Sequence, residues 1–157
     1  MSTETSAIDL VVACSRFIRF ARRRAEIDES PAVWRALAIL NEFGAMRVSD
    51  FARHDGLSQP SATSMLRKLK DAGLIEARPD PADGRASLCE LSDAGRVRLL
   101  DRRTTMGEKL EPVLATLEPE QRAELARAVD TLNRLITIHD PDRANAADGR
   151  GVVTSNN

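Results

Sequence analysis

Four apolar residues, Ala62, Met65, Leu66 and Leu69, recur at spacings of three, one and three between Ser58 and Gly73. At about 100° per residue these positions line one side of a helix. Such a stripe has to bury itself against another element. Pro60, Thr63, Ser64, Arg67 and Asp71 fall on the opposite side, flanked by Ser61 and Lys68, so that face is suited to water or a polar partner. Ser58 can accept a hydrogen bond from an orphan amide at the start, and Gly73 marks the end. Upstream, a short helix fits Val48 to His54 with Phe51 and Ala52 inward. It closes at Asp55-Gly56, where glycine can take the left-handed conformation. Downstream, Leu74 to Arg78, a turn-rich Pro79 to Arg85 and the alternating Ala86 to Leu91 predict a β-hairpin with a long, charged tip.

Longer helical patterns flank this centre. Ile8, Val11, Val12, Ile18, Ala21 and Ala25 recur at helical spacing, while Arg16, Arg19, Arg22, Arg23 and Arg24 crowd the later turns. Ser30-Pro31 opens a second helix through Trp34, Leu37, Leu40 and Phe43 to Gly44. Ser92 to about Thr116 reads as a long helix that tolerates Gly95 and Gly107. Pro119 opens a last helix with Leu125, Val129, Leu132 and Ile136 on one side. These outer stripes need a partner surface. The stretch from 140 to 157 has no period and few large apolar groups, which predicts a disordered tail, and residues 1–6 form an N-terminal tail.

Composition excludes several classes of function. The 157 residues carry 23 Lys and Arg against 24 Asp and Glu, a net charge of −1, so any nucleic-acid site is a local patch. Aromatic residues are 3% with no Tyr, which argues against stacking on single-stranded bases. Cys14, Cys89, His54 and His139 are isolated from one another, so neither a zinc site nor a disulfide framework is expected, and no cofactor is implied. There is no Gly-rich phosphate loop, no nucleophile in a recognisable motif and no His with a relay carboxylate, which argues against an enzyme. The N-terminal stretch reads as neither a signal peptide nor a spanning helix, so a cytoplasmic protein without a membrane partner is expected.

A short helix, a four-residue turn from Asp55 to Ser58 and a polar-faced helix make a helix-turn-helix, and the hairpin adds a wing. The fold class expected is therefore mainly α with a small β-hairpin wing. Residues 30–91 form the winged lobe, and 7–29 with 92–139 form a helical dimerisation region. Gln59, Ser61, Thr63 and Ser64 are short enough to let the helix lie deep in a major groove and still meet base edges. Arg67, Lys68 and Lys70 lie further along, suited to phosphates. Periodicity alone leaves a solvated surface equally open; the hairpin favours DNA. Arg78 and Arg85 bracket Asp80 and Asp83, so the tip can hold an internal ion pair while presenting an arginine to a narrow minor groove. The alternative is a solvated turn with weak pairs.

The run from Ala45 to Gly95, containing VSDFARHDGLSQPSATSMLRKLKDAGLIEARPDPADGRASLCELSDAG, resembles the MarR family of bacterial transcriptional regulators. Its most specific pieces are Asp83-Gly84-Arg85-Ala86, the Leu-Ser-x-x-Gly of Leu91 to Gly95, and the passage from Leu69 ending in Gly73-Leu74-Ile75. The resemblance implies a homodimer, with interlocking first and last helices, that represses transcription from a palindromic double-stranded DNA operator. Half-sites would lie about 34–36 Å apart. It further implies that Ser58, Gln59, Ser61, Thr63 and Ser64 face bases or phosphates, that Lys68 binds backbone, and that Arg85 inserts from the wing with Asp83 orienting it. A small aromatic or lipophilic effector would sit near Arg16 and Arg19, with Trp34 and Phe51 as walls. Some relatives sense oxidants through an N-terminal cysteine, a role open to Cys14, which otherwise serves as a small hydrophobe. A winged helix used for protein contact is a further alternative. Two residues depart from the pattern. Arg47 stands where many relatives have a Ser or Thr cap, so the helix start is expected to fray, with Asp50 compensating in part. Ser64 stands where many place an arginine, so operator sequence cannot be copied from them.

Overall fold

Serines decide where most helices of the chain begin. In the computed structural model, which describes residues 6–26 and 30–140, the hydroxyl oxygens of Ser6, Ser30, Ser58 and Ser92 accept from the amides of Asp9, Ala32, Ser61 and Gly95. Each satisfies one of the donors left unpaired at a helix N-terminus. The elements in order are α1 (Ala7–Arg24), α2 (Pro31–Phe43), β1 (Met46–Arg47), α3 (Val48–Asp55), α4 (Gln59–Asp71), β2 (Ile75–Asp80), β3 (Asp83–Leu91), α5 (Asp93–Leu114) and α6 (Pro119–His139). Most of the two tails, 1–6 and 140–157, and residues 27–29 of the first helical region lie outside the described residues.

The protein is mainly α with one small antiparallel sheet of strand order β1-β3-β2. Two features of that sheet differ from the sequence expectation. The short β1 pairs Met46 with Cys89 and Arg47 with Leu88; two residues are too few to show a period. The hairpin tip is also tighter than expected, because both strands run on to Asp80 and Asp83 and leave Pro81-Ala82 between them. Pro79 pairs with Ser87 and Asp80 with Asp83, so Gly84, Arg85 and Ala86 have no opposite residues. They form a bulge on β3, an arrangement that bends a strand and re-aims its side chains.

The core lies within the winged lobe and at its junction with α5. Phe51, Leu37, Leu69 and Leu99 are its largest fully buried side chains, and Leu66, Ile75 and Leu91 join them. Two glycines set the corners: Gly56 at φ 65° closes α3 and Gly73 at φ 70° follows α4. Gly95 acts differently. A Cβ there would lie 2.0 Å from the carbonyl oxygen of Leu74, so glycine lets the start of α5 touch the backbone that leaves α4. Ser92 fastens the same spot, its hydroxyl donating to the Gly73 carbonyl at 2.6 Å and its amide to the Leu74 carbonyl at 3.1 Å. The two outer helices contrast with this packing. Of the apolar positions on α1, only Ala21 is buried within the helix, while Ile8, Val11, Val12, Phe17 and Ile18 are exposed. Helix α6 buries no residue at all.

Candidate nucleic-acid interface

Helix α4 inserts Ala62, Leu66 and Leu69 into the core, which turns the opposite side outward by geometry alone. Ser58, Gln59, Ser61, Thr63, Ser64, Arg67 and Lys68 are all exposed. Three of the hydroxyls already have partners: Ser58 Oγ donates to Ser61 Oγ at 2.9 Å, and Thr63 Oγ1 donates to the Gln59 carbonyl at 2.9 Å. Gln59, Ser64, Arg67 and Lys68 have no side-chain partner among the described residues. Their polar groups are open to a ligand without a bond being broken.

The wing corrects the expected ion pairing. Arg78 does not serve the tip; its Nε donates to Glu90 Oε1 at 3.0 Å across the hairpin. Asp80 is held instead by Arg47 of β1, whose Nε and Nη2 lie 2.7 and 2.5 Å from Oδ2. The other oxygen, Oδ1, accepts from the Ala82 amide at 2.9 Å. The Ala82 hydrogen bond, and then the Arg47 guanidinium, hold the Asp80 carboxyl below its ordinary value of 3.8. Asp83 Oδ1 accepts from the main-chain N–H of Arg85 at 3.1 Å, so it orders the backbone beneath Arg85 rather than the guanidinium. The Arg85 side chain is exposed and has no ion pair among the described residues.

Sequence reasoning missed the use made of Arg47. It is the N-cap residue of α3 and offers no side-chain cap, as expected, but its guanidinium ties that helix start to the wing. Asp50, the expected substitute, lies 3.5 Å from Arg53. The ion pair between Arg35 of α2 and Asp55 at the end of α3 was also not legible, since twenty residues separate the partners. Asp55 Oδ2 is buried without a hydrogen-bond partner among the described residues.

The four residues proposed to line an effector crevice do not come together. Arg16 and Arg19 flank a shallow groove along α1 with Phe17, Phe20 and Arg23. Phe51 is wholly enclosed by the lobe core, its phenyl ring recruited by hydrophobic burial, and so cannot be a wall. Trp34 is half-buried at the core margin, with the Arg102 guanidinium 5.5 Å from its ring centroid. Cys14 is exposed on α1, whereas Cys89 is buried on β3 and burial pushes its thiol pKa up. The described residues contain no group of metal-ligating side chains and no helix long and apolar enough to cross a membrane.

The sequence model of the MarR family matches residues 30–87, from α2 into the wing. An uncharacterised HTH-type transcriptional regulator of Mycobacterium leprae is 32% identical over 131 residues, which cover 83% of this chain and 92% of the relative. The chain belongs to the MarR family. Like other members of the MarR family it is a DNA-binding transcriptional regulator and not an enzyme. The HTH-type transcriptional repressor IacR of Pseudomonas putida is 27% identical over 72% of this chain and 64% of its own length. Among solved structures, a transcriptional regulator protein of Pseudomonas aeruginosa superimposes with a TM-score of 0.71 at 26% identity, covering 83% of this chain and 92% of that one.

Proposed function

We propose that this MarR-family regulator is a homodimeric repressor of a palindromic operator. Residues 30–91 act as the DNA-reading lobe, and 7–29 with 92–139 as the region that pairs two copies. The observation that carries the reading is the outer face of α4, exposed from Ser58 to Lys68 while its other face is locked into the core. In a major groove, Gln59, Ser61, Thr63 and Ser64 meet base edges, Ser58 and Arg67 sit against the backbone, and Lys68 neutralises a phosphate. Arg85 reaches the adjacent minor groove from the bulge ordered by Asp83, and Arg78 stiffens the hairpin through Glu90. Pairing is supported by the uncovered apolar residues of α1 and α6, among them Val12, Ile18, Val129 and Ile136. Repression is supported by the relationship to the P. putida repressor. The α1 groove, with Arg16 and Arg19 beside Phe17 and Phe20, offers a guanidinium and ring surface where an aromatic acid would bind and release the operator.

Duplexes selected by the protein from a random pool provide the test. On them, Thr63→Ala and Ser64→Ala are expected to relax discrimination at one base step of each half-site by about 1–3 kcal/mol. Lys68→Ala should weaken every sequence alike and lower the salt slope by about one. Footprints of all three variants indistinguishable from the parent protein would refute the assignment of α4.

A further inference from the structure

Arg47 opens α3 yet gives that helix no cap. Its guanidinium runs instead along the sheet to the far end of the wing. There, Nε and Nη2 converge on one oxygen of Asp80, and Nη2 lies 4.0 Å from Asp83 Oδ2. Asp80 is 7% exposed, an unusual degree of enclosure for a carboxylate one step from a hairpin turn. Asp80 and Asp83 face each other in register, and directly after them β3 bulges out through Gly84, Arg85 and Ala86. Asp83 also accepts the Arg85 amide. The Asp80–Asp83 pair is thus the tip-side boundary of the bulge that carries Arg85, with Pro79–Ser87 on its other side, and Arg47 grips that boundary from outside the hairpin.

We infer that Arg47 is a positioning residue for DNA binding: a brace from β1 to Asp80 and Asp83 that sets the direction in which the Arg85 loop leaves the wing. The inference rests on the reading of the wing as a DNA contact. A free two-stranded ribbon twists readily, so without an outside anchor the loop would sample many directions before meeting a groove. A planar guanidinium fixes angle as well as distance when two of its nitrogens share one carboxylate, which an ammonium cannot do. The brace also offsets two negative charges that would otherwise face a polyanion. In exchange α3 forgoes a hydroxyl cap.

The test uses the full-length protein as Arg47→Thr, Arg47→Lys, Asp80→Asn and the combined Arg47→Thr, Asp80→Asn variant. The probe is duplex DNA selected by the parent protein from a random pool. Threonine supplies an acceptor for the start of α3, which partly offsets the cost of leaving the enclosed Asp80 carboxylate without its partner, so Arg47→Thr is expected to stay folded with a lowered Tm that the combined variant restores. In DNA-free protein, the amides of Gly84, Arg85 and Ala86 should exchange about tenfold faster in each single variant and no faster in the combined one, the signature of two residues acting as a pair. Affinity should fall about tenfold in each, be no worse in the combination, recover only in part with lysine, and keep its salt slope. Unchanged amide exchange overturns the brace whether or not the protein binds DNA, which separates its failure from that of the DNA reading. Faster exchange with unchanged affinity overturns the positioning role and leaves a structural ion pair. Tighter binding by Asp80→Asn, with a salt slope lower by about one in Arg47→Thr, also overturns it and makes Arg47 a phosphate contact.

Discussion

The winged lobe and the outer helices are built from the same kind of amphipathic segment, yet they end in opposite states. In the lobe, α2, α3 and α4 turn their stripes on one another and on the sheet, and Phe51 and Leu37 lose essentially all contact with solvent. In α6 the stripe is as regular, but Val129 is 47% and Ile136 44% exposed. The difference teaches where each unit finds its partner. The lobe completes its core within one chain, whereas α1 and α6 present apolar surface that no other described residue covers, the surface assigned above to pairing. The stability of the first depends on its own packing; in the proposed dimer, that of the second would depend on protein concentration.

The sharpest way to break this contrast is Ile136→Asp. Each dimer would bury unpaired carboxylates, at a cost of several kcal/mol apiece in order of magnitude. Sedimentation should show half the mass with the lobe still folded, and a dimer that survives would place the pairing surface elsewhere. Phe51→Ala attacks the other side and should remove about 3–5 kcal/mol in urea denaturation, the range for a large aromatic deleted from a closed core. A loss below about 1 kcal/mol would mean the lobe is not self-contained. Gly95→Ala is next, at about 1–3 kcal/mol by overpacking, because the added methyl meets backbone rather than a movable side chain. Its unfolding midpoint should drop without a change in slope. The smallest effect is a titration. Asp80 has its folded pKa below the ordinary 3.8, so its contribution is fully present above that value and is lost as pH falls through the folded one. A carboxyl NMR midpoint for Asp80 at or above 3.8 would remove the wing from the ordered part of the lobe.

Much of this arrangement was legible because it is written in short-range chemistry. Ser30, Ser58 and Ser92 mark helix starts, Gly56 and Gly73 mark corners, and the stripe of α4 identifies its buried side. The resemblance of the wing and its flanks led to the correct family. The illegible parts depend on partners distant in sequence. Arg47 reads as a missing cap because Asp80 lies 33 residues away, and Phe51, inward-facing by its spacing, is left open to a pocket-wall role by the family resemblance until α2 packs over it. Charge proximity along the chain also misled: Arg78 and Arg85 are nearest to Asp80 and Asp83 in sequence, but the pleat sends Arg78 to Glu90.

Helices α4 and α5 meet at a tight joint. The carbonyls of Gly73 and Leu74 are gripped by Ser92, and Leu74 rests on the bare Cα of Gly95. The segment leaving α4 and the head of the long α5 rod are thereby held in direct contact. In the proposed dimer, a shift imposed far along that rod would therefore carry α4 with it and change its pitch against the operator, rather than being absorbed at the joint.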